Sequence, residues 1–258
     1  MNTKILDEIV KQDYAKIQSN IETFLRQQLT NAEGFVFGLS GGIDSAVIAH
    51  ICARSFKDRS LALIMPDSKV SPKEETQDAL YLVDNLGIDY KLIDINMIHS
   101  QFANIIEPQD IALGNLRARI RAALLYYYAN LKNYLVVGSS DKSEYLIGYF
   151  TKFGDGSADI LPIVSLYKSQ VREFAKFLKI KDSIVSKKSS PHLWKGHTAE
   201  DEIGITYDEI DAVLYCLIDK KMSVEQTINA TDIDKNKIER IQQMHKKSEH
   251  KRAMPPKP

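Results

Sequence analysis

Six consecutive residues, Ser40-Gly41-Gly42-Ile43-Asp44-Ser45, combine two glycines, two hydroxyls and one carboxylate with little side-chain bulk. Backbone N–H groups in such a segment can approach an anion closely, and a helix N-terminus behind it adds unpaired donors and partial positive charge. The chemistry these residues suit is the grip of a phosphate or pyrophosphate. Asp44 is the odd member, because a carboxylate beside phosphate oxygens is repulsive unless a divalent cation such as Mg2+ lies between them. A glycine-rich turn is more often only a turn, but its flanks argue for more here. Residues 35–39 are a short apolar run rich in β-formers and read as a buried strand. Residues 46–56 are apolar at helical spacing through Ala46, Ile48, Ala49, Cys52, Ala53 and Phe56. The segment is neither a Walker loop nor Gly-x-Gly-x-x-Gly.

The elements that must carry this loop follow from the apolar pattern. Residues 4–29 read as one long amphipathic helix with Ile5, Ile9, Tyr14, Ile17, Ile21, Phe24 and Leu25 facing inward. Residues 61–65, 90–95 and 134–138 read as further strands, and 110–132 as a long helix. Ser71, Pro72 and Glu74 form a helix start, with Ser71 as cap, and that helix stops at Gly87. Strands alternating with helices through the first 140 residues imply a parallel sheet covered on both faces. Ligands of such sheets bind at the carboxyl ends of the strands. Those ends carry Ser40, then Pro66, Asp67 and Ser68, then Ser139 and Ser140, so the polar segments converge. Beyond Ser165 the chain reads as mainly helical, with a hydrophilic loop over 181–202.

The 258 residues suffice for one α/β domain with a sizeable core, and no linker divides them. Lysine plus arginine and aspartate plus glutamate both number 34, a zero formal charge that argues against a large nucleic-acid footprint. Cys52 and Cys216 form no Cys-x-x-Cys pair and read as core thiols of a reducing compartment. The N-terminus has no signal-type apolar core, and no run approaches a membrane span of about 20 residues. A cytoplasmic location is expected.

The loop resembles the Ser-Gly-Gly-x-Asp-Ser loop of the N-type ATP pyrophosphatases, which cleave ATP between its α- and β-phosphates and adenylate an oxygen. The rest of the chain narrows the resemblance. It contains the run from Gly138 through Glu144 to Gly148 and the run from Tyr149 through Lys152, Gly154, Asp155, Gly156 and Asp159 to Pro162. It also contains Leu166 to Arg172, Ser189 to Tyr207, Ser248 to Arg252, and Gly114 to Arg119. Together these are similar to the ammonia-dependent NAD synthetases over essentially the whole chain. The resemblance implies a Rossmann-like parallel sheet flanked by helices, of the adenine nucleotide alpha hydrolase type, with a mainly helical C-terminal part. It implies ATP-dependent amidation of deamido-NAD with ammonia, Mg2+ as cofactor, and a homodimer. Glutamine-using members carry an amidase domain ahead of the synthetase, and this chain reaches its phosphate loop by residue 40, so one synthetase domain is expected.

The same resemblance implies roles for individual residues. Gly38, Leu39, Ser40, Gly41, Gly42, Ile43, Asp44 and Ser45, with Ser139, Lys168 and Ser190, would bind ATP. Asp44 and Glu144 would hold Mg2+, a donor set that suits a hard cation. Arg119, Lys152, Asp159, His250 and Lys251 would bind deamido-NAD. Asp155, between the two glycines of a lid, would help position ammonia. Relatives differ at residues 191–195. Each residue has a plainer reading as a solvated helix start, a surface turn or a tail charge. Two rival functions fit the same loop: a tRNA-modifying ATP pyrophosphatase, and a nucleotide-binding regulator without chemistry.

Overall fold

The computed structural model describes residues 2–190 and 198–257, so the segment between Ser190 and Thr198 lies outside the described residues. In chain order the elements are α1 (Lys4–Val10), α2 (Tyr14–Gln28), β1 (Gly34–Gly38), α3 (Ile43–Phe56), β2 (Ser60–Ile64), α4 (Lys73–Leu86), β3 (Asp89–Leu92), α5 (Asn96–Ala103), α6 (Asp110–Lys132) and β4 (Tyr134–Val137). Then follow α7 (Lys142–Ile147), α8 (Lys168–Phe177), α9 (Asp182–Val185), α10 (Ala199–Ile203), α11 (Tyr207–Leu214), α12 (Val224–Thr231), α13 (Lys235–Lys247) and α14 (Glu249–Arg252).

The sheet is parallel with order β3-β2-β1-β4. Successive side chains of β1 alternate between two cores, as a strand period of two requires. Phe35, Phe37 and Leu39 pack with α3, α4 and α8 residues, while Val36 packs with Leu61, Leu63, Val136 and the α6 residue Ile120. Both faces are therefore covered, as the alternating pattern predicts. A third core gathers Ile147, Tyr207, Ile210, Val213, Ile238 and Ile241 from α7, α11 and α13 with Ile9 of α1. In this order the chain reverses its winding direction between β1 and β4. The crevice at their carboxyl ends is where such sheets bind ligands.

Three sequence expectations are corrected. The 181–202 stretch is not all loop, since it contains α9 and most of α10. Residues 4–29 are not one helix. Asp13 adopts an extended conformation and its carboxylate caps α2 by accepting the Lys16 N–H at 3.0 Å, while the Tyr14 hydroxyl donates to the Val10 carbonyl at 2.8 Å. The break lets Ile9 enter the third core while Ile21 and Leu25 enter the first. Phe24, expected inside, is 37% exposed. Ser71 does not cap α4. Its hydroxyl accepts the Asp67 N–H at 3.0 Å, and Pro72 occupies the cap position without a side-chain bond. Gly87 does end α4, in the left-handed conformation. Cys52 and Cys216 are free and buried, and burial pushes the Cys52 thiol up to about 12.

Candidate active site

The loop after β1 is pinned by its own hydroxyls. Ser45 Oγ donates to the Gly42 carbonyl at 3.0 Å and accepts the Ser40 N–H at 3.2 Å. Ser40 Oγ accepts the Gly42 N–H at 3.1 Å. Gly41 sits at φ +84°, and a Cβ there would lie 2.2 Å from the Glu75 carbonyl oxygen, so the loop runs where only glycine fits. Lys187 donates to the Gly41 carbonyl at 3.2 Å and pairs with Asp78 at 2.6 Å, which sets a cation beside the loop. α3 begins at Ile43, so its first turn and its positive end face the same crevice.

A cavity of about 460 Å³ occupies this crevice. Gly38, Leu39, Ser40, Gly42, Ile43, Asp44, Ser45, Ser139, Glu144, Asp155, Ser190 and Lys251 all line it. Gly41 and Lys168 are not among the lining residues. Of the expected strand-end residues, Pro66 lines the cavity, whereas Asp67 is fully buried in an ion pair with Arg117 at 2.6 Å.

Three carboxylates surround the Lys168 ammonium: Asp44 Oδ2 at 2.8 Å, Asp141 Oδ2 at 2.8 Å and Glu144 Oε1 at 2.9 Å. Lys168 and Asp141 are fully buried, while Asp44 and Glu144 keep about a fifth of their surface toward the cavity. Desolvation raises both Asp141 and Glu144; Lys168 opposes the shift, and the neighbouring acids add to it. The same acids hold the Lys168 ammonium charged against its burial, well above the ordinary lysine range. Three acids against one ammonium leave a surplus of negative charge. Their ligand oxygens lie within 4.8 Å of one another, and Asp44 Oδ1 is buried without a hydrogen-bond partner. Hard oxygen donors, an unsatisfied carboxylate oxygen and net negative charge fit a divalent cation such as Mg2+.

Asp141 escaped the sequence reading. Its other oxygen caps α7, accepting the Glu144 N–H at 2.8 Å. The available signal was an Asp-x-x-Glu spacing just after a predicted strand, which marks a helix start and so sets two carboxylates on one turn. Lys187 was also missed.

Of the residues expected at deamido-NAD, Arg119, Lys152 and His250 form a chain of contacts, and only Lys251 lines the cavity. Arg119 is exposed and donates to the Lys152 carbonyl at 3.3 Å, on the opposite flank of α6 from Arg117 and Arg121, as the helical spacing predicts. Lys152 Nζ donates to the His250 carbonyl, and Lys251 Nζ donates to the carbonyls of Gly148 and Phe150 at 2.7 and 2.8 Å. Asp159 is turned toward the sheet edge, where it accepts the Val136 N–H at 2.7 Å and the Tyr126 hydroxyl at 3.3 Å. The Gly154-Asp155-Gly156 segment is a closed turn. Gly154 and Gly156 both donate to the Thr151 carbonyl, and Asp155 Oδ1 accepts the Thr151 N–H at 2.9 Å. The departure at 191–195 lies outside the described residues.

A parallel sheet with an anion loop and a carboxylate cluster at its switch point defines the class: an α/β protein with a nucleotide-phosphate site. The sequence model of the NAD synthase family matches residues 17–255, and the chain belongs to that family. Two curated relatives are both named NH(3)-dependent NAD(+) synthetase. The one from Hyperthermus butylicus is 46% identical over 258 residues, 98% of this chain and 94% of the relative. The one from Staphylothermus marinus is 47% identical over 261 residues, with the same coverage of each. Among solved structures, an NMN synthetase from Francisella tularensis matches with a TM-score of 0.85 at 38% identity, covering 96% of this chain and 99% of that one. An NH3-dependent NAD synthetase from Campylobacter jejuni, in complex with nitrate, matches at 0.81 and 35%, covering 95% and 99%.

Proposed function

We infer that this chain condenses ammonia with the nicotinate carboxylate of deamido-NAD at the expense of ATP, releasing NAD, AMP and pyrophosphate. It is a carbon–nitrogen ligase. The observation that carries the reading is the juxtaposition of the anion loop with Asp44, Asp141, Glu144 and Lys168 at one end of the sheet, in a chain whose curated relatives bear that activity in their names. These relatives give no support to tRNA modification or to an inactive regulator.

The reaction joins a carboxylate to a polyanion, so the residues must offset repulsion and align the partners. The glycine-rich loop and the positive end of α3 face the departing diphosphate, and Lys168 holds Asp44 and Glu144 beside it through their ion pairs. Asp44 and Glu144, with Asp141 beside them, would hold Mg2+, which neutralises phosphate charge and polarises the α-phosphorus. The carboxylate oxygen then bonds to that phosphorus as the bond to pyrophosphate breaks. Ammonia attacks the acyl carbon of the adenylate, loses a proton and expels AMP. Arg119, Lys152, Asp159, His250 and Lys251 hold the dinucleotide. The turn carrying Asp155 shields the adenylate from water and orients ammonia.

The chain works in the cytoplasm as a homodimer. Free, buried Cys52 and Cys216 suit a reducing compartment, and among the described residues no helix is long and apolar enough to cross a membrane. Exposed apolar side chains on α5 and α6, among them Met97, Phe102, Tyr127 and Leu131, support pairing of two copies.

The test is turnover by the purified chain with ATP and Mg2+. Equal amounts of NAD, AMP and pyrophosphate are expected with deamido-NAD and ammonium, and little product with glutamine. The NMN synthetase relative makes the nicotinate mononucleotide a required competitor, expected to be the poorer substrate. No AMP from deamido-NAD and ammonium would overturn the reading.

A further inference from the structure

Behind the carboxylate trio, α11 presents Tyr207 and Asp211 one helical turn apart, both fully buried. Neither lines the cavity. Tyr207 donates its hydroxyl to Glu144 Oε1 at 3.1 Å, and its ring face lies 5.1 Å from Lys168 Nζ. Burial and the neighbouring Glu144 keep this phenol protonated, so it acts as a donor. Asp211 Oδ1 accepts Ser143 Oγ at 2.5 Å, and Oδ2 accepts the Ser169 N–H at 2.8 Å. Ser143 Oγ in turn accepts the Lys168 N–H at 2.9 Å.

These bonds tie together two short helices that the sheet alone does not align. Glu144 sits in the first turn of α7, and Lys168 opens α8. Asp211 fastens both first turns to α11, and both positive helix ends converge on its charge. Tyr207, from the same face of α11, holds the side chains that those turns carry. We propose that Tyr207 and Asp211 are positioning residues for the reaction: α11 acts as a fixed jig that sets the distance between Glu144 and Lys168, and through them the grip on the metal–ATP complex. An apolar helix face would fill the same space without fixing a glutamate and a lysine to one geometry.

The proposal rests on assigning Glu144 and Lys168 to the ATP site. Tyr207→Phe removes one oxygen and keeps the ring over Lys168; Asp211→Asn keeps the shape and removes the charge. Steady-state kinetics would be paired with thermal melting and with Mn2+ titration followed by electron paramagnetic resonance. One hydrogen bond to a charged group carries the effect, so Tyr207→Phe is expected to lower kcat about tenfold or more. It should leave the KM for deamido-NAD within about twofold, and weaken Mn2+ binding by at least about threefold. The melting temperature should change little. Unaltered kcat and Mn2+ affinity in Tyr207→Phe, or a loss confined to KM for deamido-NAD, would overturn the proposal. That variant decides the matter if Asp211→Asn does not fold. An inactive wild-type protein would instead sink the functional reading, while the Mn2+ titration would still read the jig.

Discussion

Lys168 Nζ and Asp141 Oδ2 lie 2.8 Å apart, and neither side chain has any exposure. A charge pair so placed is tolerated because each partner satisfies the other. Removal of one leaves a buried charge uncompensated, at a cost of about 3–5 kcal/mol. Lys168→Met is expected to lower the urea midpoint accordingly as well as abolish turnover. Adding Asp141→Asn should recover most of the lost stability and none of the activity. A Lys168→Met protein as stable as wild type would show that the pair has no structural part.

Asp44→Asn should behave in the opposite way toward stability. Asp44 is one of three acids around a single ammonium, and its Oδ1 has no hydrogen-bond partner. Neutralising it relieves like-charge repulsion, so the melting temperature should hold or rise. Turnover should fall by at least about two orders of magnitude, because one expected metal ligand is lost without a change of volume. Near-wild-type activity would remove Asp44 from the site.

The Gly41→Ala substitution tests the loop itself. The left-handed backbone and the Cβ position 2.2 Å from the Glu75 carbonyl oxygen leave no room for a methyl group. Strain and overpacking together should cost about 2–4 kcal/mol. Urea denaturation would measure this, and equilibrium ATP binding should weaken in parallel. Alanine accepted at no cost in either assay would contradict the loop geometry.

Asp211 supplies a pH dependence with a definite sign. Burial pushes its carboxyl from an ordinary 3.8 up to about 6, against the bonds from Ser143 and Ser169. The folded state therefore holds this proton more tightly than the unfolded chain. Its contribution to stability is full below about pH 4 and is lost as pH rises to about 6. Asparagine does not titrate, so the stability of Asp211→Asn relative to wild type should climb across that window, by up to about 3 kcal/mol, and then level off. Melting of both proteins from pH 4 to 8 would check it, and a flat difference would refute it.

Local pattern carried much of the fold. The buried strands at β1 and β2, the long α6 and the Gly87 stop were all legible, because apolar period and turn chemistry act over a few residues. The break at Asp13 was not. An aspartate inside an apolar stripe reads as a solvated position unless one knows that the two halves enter different cores. The capping assigned to Ser71 failed for a related reason: its hydroxyl is taken by the Asp67 amide, a competitor that helix-start rules do not weigh.

What the chain's order of residues supplied alone was a set of candidate groups: the hydroxyl and glycine loop at 40–45, Asp44, Glu144 and Lys168. Only the tertiary structure decided which of them meet. The β3-β2-β1-β4 order brings the ends of strands a hundred positions apart side by side, and so sets Asp44 against Asp141 and Glu144. Tyr207 and Asp211 became visible only with packing, since a turn-spaced pair on a helix says which face it shares and nothing about what that face touches. Side-chain types are local properties of a chain, whereas distances between charges are set by how its elements pack.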